Sequence, residues 1–132
     1  MRSVLADTGP IYALVDPDDQ YHDRAQRELT DMADQGYVLQ VAFPTLLEGY
    51  TLILRNLGVG SAQQWWREMS EGSGLVNPTR DDYFEAAQRA GRYTDQAITL
   101  FDAVVALLAE KLGVAVWTYD FHFDVMGVDV WR

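Results

Sequence analysis

The chain has 132 residues, 48% of them hydrophobic, no cysteine, and a formal net charge of −10 from 20 acids against 10 bases. That length suits one domain with a single core, and the absence of cysteine excludes disulfides and thiolate metal centres. Nine of the bases are arginines and Lys111 is the only lysine, a balance that excludes a clamp holding nucleic acid by overall charge.

Arg2 to Asp7 reads as a short buried strand closed by Gly9-Pro10. Asp7 breaks the apolar run that a signal peptide would need. Ile11 to Val15 gives a helical turn or two, ending in the turn cluster Asp16-Pro17-Asp18-Asp19. Gln20 to Gln35 predicts an amphipathic helix with Ala25, Leu29, Met32 and Ala33 on one face and Gly36 as its C-cap. Tyr37 to Phe43 is a second strand. Pro44-Thr45 opens a helix carrying Leu46, Leu47, Tyr50, Leu54 and Leu57, which ends at Gly58. Ser61 to Ser70 is a further helix, Leu75-Val76 a brief strand, and Pro78-Thr79 opens a helix over Asp81 to Tyr93. Thr99 starts an apolar helix that stops at Gly113 and passes into a strand, Val114 to Tyr119, ending on Asp120. Its longest apolar run, Ala103 to Ala109, is too short to span a bilayer, so a cytoplasmic protein with no membrane partner is expected. Val128 to Val130 reads as a last short strand. Apolar strands between helices imply an α/β fold, a parallel sheet of four to five strands covered on both faces, in one domain over residues 1–132.

Four acids fall at related places. Asp7 and Asp120 end strands, whereas Glu48 and Asp102 lie in the first turns of helices. In a parallel sheet all four project at the edge where open α/β sheets bind ligands. Taken singly, each has a structural explanation. Thr45-Leu-Leu-Glu48 and Thr99-Leu-Phe-Asp102 fit or nearly fit capping boxes, as does Thr79-Arg-Asp-Asp82, and acids at strand ends form turns. Taken together, four carboxylates in one cleft repel each other unless a cation holds them. An all-carboxylate set, with no cysteine, suits Mg2+ or Mn2+ rather than Zn2+, and such a centre can polarise a phosphodiester.

The stretches DTGPIYALVD (Asp7 to Asp16), PTLLEGYTLI (Pro44 to Ile53), YTDQAITLFDAVVALLAEKLG (Tyr93 to Gly113) and WTYDFHFDVMGV (Trp117 to Val128) together resemble the PIN domain, and more narrowly the VapC-type toxins of bacterial toxin–antitoxin pairs. The resemblance covers nearly the whole chain in the right order. It implies a PIN-like three-layer α/β/α fold and a Mg2+- or Mn2+-dependent endoribonuclease, often a homodimer, inhibited by a VapB-type antitoxin. The family's acidic quartet falls on Asp7, Glu48, Asp102 and Asp120, as metal-holding catalytic residues. In-line attack by water on an RNA phosphodiester is the expected reaction, with the acids holding the cation rather than acting as nucleophiles. Asp95, in YTDQ, is added as a possible residue of the site; Thr8 and Thr118 stand beside ligands as hydrogen-bonding partners, and Asp124 is a further candidate.

Where the family commonly reads Asp-Arg-His-Phe after its last acid, this chain reads Asp120-Phe121-His122-Phe123, so a phosphate-binding arginine is missing there. His122 is read as structural, and His22 has no evident partner. Of the adjacent Trp65 and Trp66 a helix can bury only one on a given face; the other suits a dimer or antitoxin surface or plain solvent exposure. Arg24, Arg27, Arg55, Arg89 and Arg92 are candidate phosphate contacts. Two other classes stand beside the nuclease. One is a receiver-like phosphoacceptor domain, which needs a lysine at the acidic edge, where Lys111 does not fall. The other is a catalytically inactive PIN-like binding module.

Overall fold

The computed structural model describes residues 2–132. Its order is β1 (Arg2–Ala6), α1 (Thr8–Val15), α2 (His22–Asp34), β2 (Tyr37–Ala42), α3 (Phe43–Leu57), α4 (Val59–Gly72), β3 (Gly74–Val76), α5 (Arg80–Gly91), α6 (Leu100–Leu112), β4 (Ala115–Trp117) and α7 (His122–Val125). The four strands form one parallel sheet in the order β3-β2-β1-β4. The fifth strand expected at Val128 to Val130 reduces to a single parallel bridge between Val116 and Val130.

Strand alternation divides the core into two. In β1, Val4 and Ala6 face one layer and Leu5 the other; Val116 and Trp117 split the same way in β4. Helices α1 to α4 cover the first face, with Ile11, Met32, Leu46, Ile53 and Trp65. Helices α5 to α7 cover the second, with α6 buried from Asp102 to Ala109. Central strands buried on both faces read as continuous apolar runs, as Val4 to Ala6 of β1 do.

Several helices begin earlier than their sequence signals suggest. α3 starts at Phe43, so Pro44 occupies its first turn and Thr45 does not cap it. Glu48 therefore lies in the second turn, not the first. The buried stripe of α3 is Leu46, Gly49 and Ile53, while Leu47 (59% exposed) and Leu54 (41%) face outward. Ala33 of α2 is likewise exposed, leaving Ala25 and Met32 as that helix's buried residues. Glycine ends the helices where the backbone must turn left-handed: Gly113 at φ 68 after α6, and Gly58 at φ 94 between α3 and α4.

Candidate metal centre

Because all four strands run the same way, the C-terminal ends of β1 and β4 meet at one edge. The ladder continues one step past β1, where Asp7 N–H donates to Trp117 O at 2.9 Å. β4 ends at Trp117, so Asp120 stands three residues beyond it in a turn rather than on the strand. That turn is built on Thr118, whose hydroxyl accepts from Asp120 N–H at 3.0 Å and donates to Asp7 Oδ2 at 2.8 Å. One hydroxyl thus fixes two acids, one just past β1 and the other in the turn after β4. On the neighbouring helices, Thr8 in the first turn of α1 donates to Glu48 Oε1.

Asp102 answers a question that its local sequence leaves open. Thr99 and Thr79 head the same Thr-x-x-Asp pattern. At Thr79 the box closes both ways: Asp82 N–H donates to Thr79 Oγ1 and Thr79 N–H to Asp82 Oδ2 at 2.9 Å, with Lys111 Nζ on Asp82 Oδ1 at 2.6 Å. At Thr99 only the first bond forms, from Asp102 N–H at 3.2 Å. The Asp102 carboxylate is left to face the cleft.

Asp7, Glu48, Asp102 and Asp120 all line that cleft, together with Thr8, Tyr12, Tyr21, Thr99, Tyr119 and Phe121. Among the described residues lining it there is no lysine or arginine. The charges therefore go unanswered by the protein. Burial raises the Asp7 pKa to about 6, with Glu48 and Asp120 adding repulsion against the hydrogen bonds from Thr118 and the Thr8 backbone. Burial raises Asp102 to about 7, followed by the charges of Asp7 and Asp120. These are acids crowded together in a buried place, the condition a divalent cation relieves.

His122 belongs to this group, although its sequence context reads as structural. Asp102, Asp120 and His122 each offer a ligand atom within 4.8 Å of the others. His122 Nδ1 is buried, 3.1 Å from Asp120 Oδ1 and 3.9 Å from Asp102 Oδ2, yet at an angle that makes no hydrogen bond. A buried ring nitrogen left over beside two carboxylates fits a cation; the oxygen ligands suit Mg2+ or Mn2+, and an imidazole among them favours Mn2+ of the two. The sequence signal for this histidine is the spacing Asp120-x-His122, on a turn opening a helix.

The structure does not bring Asp95 or Asp124 into the cleft. Asp95 is exposed in the α5–α6 connection. Asp124 is exposed and held by Arg132 Nη2, 3.0 Å from both of its oxygens. Arg89 is committed to Glu110 and to Met126 O. His22 has a partner after all, its Nδ1 lying 2.7 Å from Ala13 O. Lys111 sits at the C-terminal end of α6, on Asp82 and Glu85, away from the acids.

The family model described as PIN domain matches residues 4–128. Among solved structures the chain is similar to VapC20 of Mycobacterium tuberculosis, a toxin described as cleaving the sarcin–ricin loop, at 21% identity over 98% of both chains and a TM-score of 0.87. It is similar to a chain of VapBC2 from Rickettsia felis, bound to a promoter DNA fragment, at 11% identity over 98% of this chain and 97% of that one, with a TM-score of 0.76. FitAcB from Neisseria gonorrhoeae follows at 17% identity over 98% and 96%, with a TM-score of 0.67. These likenesses are of fold. A comparison with curated proteins finds no match.

Proposed function

The chain belongs to the PIN-domain family, and from that premise we propose that it is an endoribonuclease dependent on Mg2+ or Mn2+, the toxin of a VapBC-type pair acting in the cytoplasm. The observation that carries this reading is the delivery of Asp7, Glu48, Asp102 and Asp120 from separate parts of the chain to one cleft in which, among the described residues, no lysine or arginine stands to neutralise them. Under this reading Asp102, Asp120 and His122 would hold the cation, with Asp7 and Glu48 lining the same cleft. A bound divalent ion supplies charge stabilisation at the phosphodiester and lowers the pKa of attacking water.

The chain's own residues do the positioning. Thr118 fixes Asp7 and the Asp120 turn; Thr8 fixes Glu48; Thr99 caps α6 and leaves Asp102 free. Each shifted acid takes up a proton as the pH falls, so cation binding competes with protonation at Asp7 and Asp102. The net charge of −10 supports a partner with a basic segment, as an antitoxin would supply. The outward Leu47 and Leu54 of α3, with exposed Val59 at the start of α4, support protein contacts on that face, including a homodimer.

The test is sequencing of RNA ends after expression of the wild type and of Asp102→Asn. New ends are expected with the wild type and none with the variant, whose fold stays intact by circular dichroism. Purified enzyme should likewise stop in excess EDTA. Full cleavage by the variant or in EDTA overturns the reading.

A further inference from the structure

We propose that Phe121 is a stacking platform for an unpaired RNA base adjacent to the phosphate held over the acids, an inference that rests on the ribonuclease reading above. Phe121 lines the acidic cleft and is nevertheless 61% exposed. Its ring is held in place: it packs on the His122 ring with centroids 4.4 Å apart and planes 39° from parallel. His122 is in turn anchored by its backbone N–H, which donates to Asp120 Oδ1 at 2.9 Å. The same wall continues in Tyr119 and Tyr21, with centroids 4.6 Å apart. Tyr119 is already engaged, by Arg24 over its ring at 4.4 Å and by its hydroxyl donating to Glu28 Oε1 at 2.5 Å. Phe121 is left as the most exposed aromatic of the wall.

Charge explains why such a contact matters. The chain carries a net charge of −10, and among the described residues no lysine or arginine lines the cleft, so the phosphate attraction on which most nucleic-acid binders rely is weak here. Stacking on an aromatic face needs no charge and accepts any base. Phe121 directly follows Asp120 and lines the same cleft as the four acids, so a phosphate at the acids leaves its neighbouring nucleoside within reach of the ring. On the other side of the Tyr119 to Phe121 segment a second recess is lined by Arg24 and Arg132 but also by Asp120 and Asp124, with Arg132 already paired to Asp124, so it adds no net positive charge and leaves stacking as the main contact. Bases inside a duplex are already stacked, so the substrate class is single-stranded or loop RNA.

The test uses RNA oligomers spanning a cleavage site mapped in total RNA, with Mn2+ present. Phe121→Ala is expected to raise KM about tenfold with kcat changed less than about threefold, and Phe121→Trp to restore KM while Phe121→Leu does not. An abasic nucleotide beside the scissile phosphate should cost the wild type the same factor and cost Phe121→Ala nothing further. Additive losses, or rescue by leucine, overturn the stacking role while wild-type cleavage leaves the nuclease standing. If the wild type cleaves no RNA, both readings fall together.

Discussion

A single hydroxyl holds much of the site. Thr118 is buried, donates to Asp7 Oδ2 and accepts from Asp120 N–H, so it ties together two acids that follow different strands. Residues that orient ligands in this way commonly govern metal affinity by about 10- to 100-fold. Thr118→Val keeps the volume and removes the hydroxyl, and we expect it to weaken Mn2+ binding by about tenfold or more, read by titration calorimetry, with Thr118→Ser restoring it. Unchanged affinity would show that the turn holds itself. The four acids were legible in the sequence because strand ends and helix starts share an edge in a parallel sheet. The cap-or-ligand choice at Asp102 was not, because Thr79-x-x-Asp82 and Thr99-x-x-Asp102 are locally alike. What separates them is tertiary: Lys111 stands beside Asp82, and other carboxylates stand beside Asp102.

At the scale of elements, α3 and α4 meet through an unusually close contact. A Cβ on Gly49 would fall 2.6 Å from the Trp65 ring, nearer than side chains tolerate. Gly49→Ala should therefore destabilise despite its better helix propensity. Overpacking costs about 1–3 kcal/mol against a gain of about 1 kcal/mol. The melting temperature should drop by several degrees, and Trp65→Phe in the same chain should recover part of the loss; a rise in melting temperature would show that the ring simply moves aside. This contact also shows where sequence patterns run out. Gly49 looks like a weak point in a helix, yet it is the place where the indole fits. The order of strands and helices followed from apolar runs and glycine stops. α7 did not, because Asp120-Phe-His-Phe-Asp124 is too short to show a period, and only the burial of Phe123 under α6 reveals it.

For the whole molecule, the crowded acids couple stability to pH and to cations. Asp7 and Asp102 hold protons in the fold up to about pH 6 and 7, whereas free carboxyls release them near 3.8. Between those values the folded form binds more protons than the unfolded one, so stability falls as pH rises from about 4 to about 7 and then levels off. For Asp7 alone the rise from 3.8 to about 6 corresponds to about 3 kcal/mol. In EDTA, calorimetric melting temperatures should therefore decline between pH 5 and pH 7.5. Mn2+ should stabilise most at the upper end, where the acids are ionised and ready to bind it. A melting temperature independent of cation at pH 7.5 would sink this account. The buried run of α6 carries one more consequence, for motion. Asp102 heads eight consecutive buried residues packed among the sheet, α5 and α7. Backbone amides in such a segment exchange with solvent only when the entire domain opens. Asp102, in the first turn of that helix, is thus carried on one of the most slowly exchanging segments of the domain, which holds its backbone in place at the cleft.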